Sequence, residues 1–80
     1  MTVNELAARL REMYEIPGAH KTTMIHLFGV LYAEEIKQAD IKPVEIVRTA
    51  KMQESYQGEI GKGMRLAQYV QLKKEYHNKF

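Results

Sequence analysis

The ten residues from Gln53 to Lys62 concentrate side chains suited to contact with a polyanion. Gln53 and Gln57 each carry an amide that donates and accepts side by side, the pattern that pairs with an adenine edge in the major groove of a duplex. Ser55 suits a base or a phosphate, and Lys62 suits a phosphate. Gly58, without a side chain, would let the backbone approach the duplex closely. Around this stretch Lys42, Arg48, Lys51, Arg65, Lys73 and Lys74 offer the sequence-independent attraction to phosphates that supplies much of the affinity in such contacts. Glu54 and Glu59 oppose it, because a carboxylate facing phosphates is repelled unless it accepts from a cytosine amino group.

The charge of the whole chain hides a polarity that favours the same half. Twelve Lys plus Arg stand against ten Asp plus Glu, a net of +2. Residues 1–40 hold four basic and six acidic side chains, net −2, whereas residues 41–80 hold eight basic and four acidic, net +4. Such asymmetry argues about partners, not about fold. An unevenly charged solvated surface explains it equally well.

Other chemistries find little to work with. There is one serine, no cysteine, and histidine only at positions 20, 26 and 77. His20 and His26 would fall on opposite sides of a helix, which disfavours a shared metal. The neighbours Glu34 and Glu35 diverge on a helix, as a solvated helix end requires, and make a poor acid/base pair. In Gly58-Glu59-Ile60-Gly61-Lys62-Gly63 the lysine is followed by glycine where a P-loop needs Ser or Thr, and no strand precedes it. The Gly58 to Gly61 gap matches the clamp of KH domains, which need flanking strands that the pattern lacks. No enzyme, no metal and no cofactor is therefore expected.

These residues must be positioned by helices. Val3, Leu6, Ala7, Leu10, Met13 and Tyr14 recur at helical spacing behind a Thr2/Glu5 capping box, and Pro17-Gly18 ends the run, so helix one should span about residues 3 to 15. Helix two should start at Thr22 or Thr23, either of which can cap, and carry Met24, Ile25, Phe28, Leu31, Tyr32 and Ile36. Its Gly29 costs about 1 kcal/mol relative to alanine, which close approach of a neighbouring helix would offset. Pro43 suits the first turn of a third helix with Val44, Ile46, Val47 and Ala50 inside, ending at Ala50 or Lys51. The three glycines at 58, 61 and 63 weaken any long helix beyond it, so the pattern predicts a fourth helix over 53–62, a break near Gly63, and a fifth helix over 64–76.

The segment from Glu45 to Gly63 thus reads as a short helix, a tight turn and a second helix, with Val47, Ala50, Met52 and Ile60 filling the corner. It resembles the helix-turn-helix of phage-repressor-like bacterial regulators: Glu45 and Ile46 open the first helix, Met52 fills the apolar position of the turn, and Gly63 closes the reader helix. Two positions depart from that pattern. Lys51 stands where glycine is usual, so either a lysine adopts left-handed geometry at a cost of about 1 kcal/mol or the turn differs. Gln57 stands where an aliphatic residue is usual, and Tyr56 would replace it by a rotation of the helix. The complete chain is also similar to small bacterial proteins described only as helix-turn-helix-like.

With 80 residues, folding hides only about 60% of the unfolded surface, enough for one modest core. The expectation is a single all-α domain over residues 1–80, with four or five short helices in a compact bundle. The longest charge-free stretch, 22–33, is too short to span a membrane, and no export signal is evident, so a cytoplasmic location is expected. The reading that results is a DNA-binding module, a transcriptional regulator or accessory protein contacting duplex DNA through Gln53, Ser55, Gln57, Gly58, Lys62, Arg48, Lys51 and Arg65, and able to form a homodimer. The alternative is a protein-interaction adaptor on the same scaffold, with Tyr69, Tyr76 and Phe80 beside Lys73 and Lys74 as its docking or dimerising surface.

Overall fold

A computed structural model describes residues 1–80, and helix α1 spans Val3–Tyr14. The Thr2 hydroxyl accepts from the Glu5 amide at 3.1 Å and the Glu5 carboxylate accepts from the Thr2 amide at 2.9 Å. Both donors would otherwise lack partners at the helix start. Leu6, Ala7, Leu10 and Met13 turn inward, and Gly18 at φ +78° reverses the chain.

Helix α2 spans Lys21–Gln38 and is the central element, packed on α1 at one side and on α4 at another. Its cap is His20, not Thr22 or Thr23: His20 Nδ1 accepts from the Thr23 amide at 3.3 Å. A histidine nitrogen does here what a hydroxyl was expected to do, two or three residues earlier. Met24, Ile25, Phe28, Ala33 and Ile36 are buried. The helix closes through Asp40 at φ +54°, with the Ile41 amide reaching back to Ile36 O at 3.2 Å.

Helix α3, Pro43–Thr49, starts on proline, whose missing N–H costs nothing there. Ile46 and Val47 are fully buried, and α3 packs on α1 and on α4. Helix α4 spans Tyr56–Leu66, so Gln53, Glu54 and Ser55 belong to the turn that leads into it. The expected break near Gly63 is absent: the Ala67 amide bonds Gly63 O at 3.0 Å and the helix runs straight through. The reason lies in α2. A Cβ built on Gly63 would stand 2.9 Å from Gly29 Cα, and one built on Gly29 would stand 2.9 Å from Gly63 Cα. These two glycines let the backbones of α2 and α4 touch, and contact between backbones outweighs the modest propensity penalty.

The expected fifth helix over 64–76 does not form. After Leu66 the chain tightens, with the Tyr69 and Val70 amides both directed at Leu66 O, then returns across α2 and makes only one short 3₁₀ turn, Lys74–Tyr76. Val70, Leu72, Tyr76 and Phe80 line a groove with Met24, Leu27 and Val30. Those four residues do not share one helical face, so a straight helix could not lay them all on α2.

The result is an all-α fold of four helices around one core that runs from Leu6 to Ile60. Its radius of gyration is 11.4 Å, against about 11.6 Å from the scaling for compact domains of this length. None of its helices is long and apolar enough to cross a membrane.

Candidate nucleic-acid interface

The corner between α3 and α4 is closed by left-handed geometry at Lys51. Lys51 has φ +58°, its amide bonds Arg48 O at 3.0 Å, and the next amide, Met52, reaches Val47 O at 2.9 Å. Two of the free carbonyls at the end of α3 are thereby satisfied, the closure that glycine usually makes. Lysine takes the strained position, which settles one of the two alternatives left by its presence there. Met52 is half-buried over the core, Ala50 is 8% exposed and Ile60 is fully buried. The bend is therefore packed from inside, and α4 remains a separate rod.

Two contacts from α1 hold that bend. Arg11 Nη1 donates to the Ala50 carbonyl at 3.2 Å. The Tyr14 and Tyr56 hydroxyls lie 3.1 Å apart, and Lys21 Nζ sits 4.4 Å over the Tyr14 ring. Tyr56 fills the first inward position of α4, as proposed for it, leaving Gln57 exposed.

The inward stripe of α4 is Tyr56, Ile60 and Gly63; the outward stripe is Gln57, Gly58, Lys62 and Arg65. All eight residues expected from the sequence, Arg48, Lys51, Gln53, Ser55, Gln57, Gly58, Lys62 and Arg65, are exposed along the last turn of α3, the connecting turn and the outer side of α4. Their freedom differs. Arg48 is held by Glu54 through Nε to Oε2 at 2.8 Å and Nη2 to Oε1 at 3.3 Å. That pair raises the Arg48 guanidinium above its ordinary pKa and lowers the Glu54 carboxyl below its own. Gln53 Oε1 accepts weakly from Ser55 Oγ at 3.4 Å. Arg65 has no carboxylate partner and folds back over Gly61, its Nη1 3.5 Å from where a Cβ would be.

Glu59, expected on the outward face, is half-buried against α2, where it accepts from His26 Nε2 at 2.6 Å and lies 3.3 Å from Lys62 Nζ. Those bonds, His26 first, hold its carboxyl below the usual range. A carboxylate expected to repel phosphates is thus turned aside and neutralised by two donors. His26 is the residue that sequence reading missed: it lies 33 positions from Glu59, and no local spacing announces a contact between helices. Lys73, counted among the surrounding cations, instead lines the α2 groove beside Leu27 and Val30.

The arrangement can present a rigid rod end-on, with amides and a bare backbone at its start and two cations further along. No curated protein and no solved structure matches this chain. A model of the HTH-like domain family matches it over residues 2–73, from the Thr2 cap through α4 and into the returning tail. The chain belongs to the HTH-like domain family.

Proposed function

We propose that this domain binds duplex DNA with the outer face of α4 seated in the major groove, and that it serves as a transcriptional regulator or accessory DNA-binding protein. The observation that carries the reading is the division of α4 into two faces. Ile60 and Gly63 lock it to the core and to α2, while Gln57, Gly58, Lys62 and Arg65 are exposed on the other side, Lys62 in an ion pair with Glu59 at 3.3 Å that a phosphate would have to replace. Gln57 and Gln53 read base edges, Ser55 and Lys62 take phosphates, Gly58 admits the backbone, and Arg48, Lys51 and Arg65 supply attraction from the flanks. Arg48 must first exchange Glu54 for a phosphate, a small cost because exposed ion pairs are worth only about 0–1 kcal/mol. Two copies acting on a two-fold site is the arrangement such modules adopt, and the closed left-handed turn at Lys51 supports kinship with phage-repressor-like regulators.

The role is one of binding, not catalysis. Each histidine has a structural partner: His20 caps α2, His26 holds Glu59, and His77 Nε2 donates to the Leu72 carbonyl at 3.0 Å. The groove of about 370 Å³ lined by Met24, Leu27, Val30, Tyr76 and Phe80 favours a second reading, a protein-interaction adaptor.

Fluorescence anisotropy with a mixed-sequence duplex at two salt concentrations separates the readings. DNA binding requires log affinity to fall steeply with log salt, and Lys62→Ala should reduce that slope by about one. The double variant Gln57→Ala/Lys62→Ala should weaken binding while circular dichroism stays unchanged. Absence of binding at low salt defeats the proposal.

A further inference from the structure

Beyond the last turn of α4 lies an aromatic side chain that duplex binding leaves unused. Tyr69 is 83% exposed, more than any other large apolar side chain of the molecule. It is presented there by a specific turn, in which its amide bonds Leu66 O at 2.9 Å. With His26, Lys62, Arg65 and Leu66 it lines an open recess of about 360 Å³ at the junction of α2 and α4. The floor is largely carbon, from Leu66, the tyrosine ring and the aliphatic stems of the two cations, which keep their charged heads in water. At the rim Arg65 has no carboxylate partner, and the one nearby carboxylate, Glu59, is shared between His26 at 2.6 Å and Lys62 at 3.3 Å, so Arg65 is the freer of the two cations. An exposed aromatic plane beside two cations matches the needs of a nucleotide: a phosphate for the charges and a base for the ring.

Inside a duplex both faces of every base are covered by its neighbours, so such a ring has nothing to stack on except at an end. An unpaired base has a free face. We infer that this recess is a subsite for one unpaired nucleotide of DNA at the end or junction of a duplex, its phosphate on Lys62 and Arg65 and its base against Tyr69. The inference rests on the duplex-binding proposal and extends it: the Gln57 end of α4 meets paired DNA, and the Tyr69 end meets the place where pairing stops.

One duplex core, blunt or carrying a three-nucleotide extension at its 5′ or 3′ end, tests this by anisotropy, alongside an eight-nucleotide single strand. The wild-type domain should bind one extended duplex about five-fold or more tighter than the blunt one, the scale of stacking a single base on an aromatic side chain. Tyr69→Ala should remove that increment, leave blunt-duplex affinity and its salt slope unchanged, and keep the fold, since the ring is in solvent. Tyr69→Trp should retain the increment. Arg65→Ala should lower affinity for all forms together. Equal binding of blunt and extended duplexes by the wild type, or an equal loss on both in Tyr69→Ala, overturns the subsite and leaves the proposed function standing. If no duplex binds, the proposed function fails; the subsite then survives only if the single strand binds and loses about five-fold in Tyr69→Ala, and binding of neither form overturns both.

Discussion

Gly29 of α2 and Gly63 of α4 face each other across the helix crossing, each lying where the other's side chain would be. A methyl group on Gly63 would also collide with the His26 carbonyl, and one on Gly29 with the Ile60 carbonyl. These neighbours are backbone and cannot rotate away. Gly29→Ala or Gly63→Ala should therefore destabilise the domain by about 1–3 kcal/mol or more. At 4–8 °C per kcal/mol for a domain of roughly this size, the loss is readable in a thermal melt. An unchanged melting temperature in both variants would contradict the crossing.

Gly58 and Gly61 invert that expectation. Nothing lies within 4 Å of a Cβ built on Gly58, and only the Arg65 guanidinium lies near one on Gly61. Alanine at either site should stabilise α4 by about 1 kcal/mol. If α4 enters a groove, Gly58→Ala should also weaken DNA binding, because the added methyl stands on the outward stripe. Higher stability with lower affinity, measured by urea unfolding and anisotropy on one preparation, is the pairing expected of a glycine kept for contact.

Lys51 adopts φ +58° at the corner. Left-handed geometry costs a side-chain-bearing residue about 1–2 kcal/mol, while the extra freedom of glycine in the unfolded chain costs roughly 0.4–1 kcal/mol. Lys51→Gly should consequently raise stability by about 0–1.6 kcal/mol. The loss of one flanking cation should lower the salt slope of DNA binding. A clear fall in the urea midpoint would speak against the observed turn.

Acid should loosen the α2 to α4 contact. Glu59 is held below its ordinary value by His26 and then Lys62, Glu54 by Arg48, and Glu5 by the Thr2 amide. A carboxyl with a depressed folded value contributes stability above its unfolded value, and that contribution disappears as pH falls through the folded one. Stability should thus hold from neutrality to about pH 5 and decline below the ordinary carboxyl value of 4.5. Glu59→Gln should be less stable than wild type at pH 7, and the gap should narrow towards pH 3. Melting temperatures across that range provide the check.

What the sequence discloses and what it conceals divides along the reach of each interaction. Helix α1 follows from the Thr2/Glu5 box and α3 from Pro43, both signals contained within one turn. The inward positions of Ala50, Met52 and Ile60 follow from apolar spacing. The passage of α4 through Gly63 could not be read locally, because its cause is Gly29, 34 positions earlier. Glu59 reads as solvent-facing until His26 is brought beside it. The tail after Leu66 has helical spacing in part, yet Val70, Leu72, Tyr76 and Phe80 gain more by lying along α2 than by sharing a rod. The outward residues of α4 are legible because exposure needs no partner to explain it.

The bond from Arg11 to the Ala50 carbonyl has a consequence for how such a domain changes over time. The pitch at which α4 presents its outer face is braced by a helix outside the two-helix unit itself. Retuning the approach therefore requires no edit to any side chain that touches the target: a substitution in the brace shifts the whole tool while leaving its cutting edge intact.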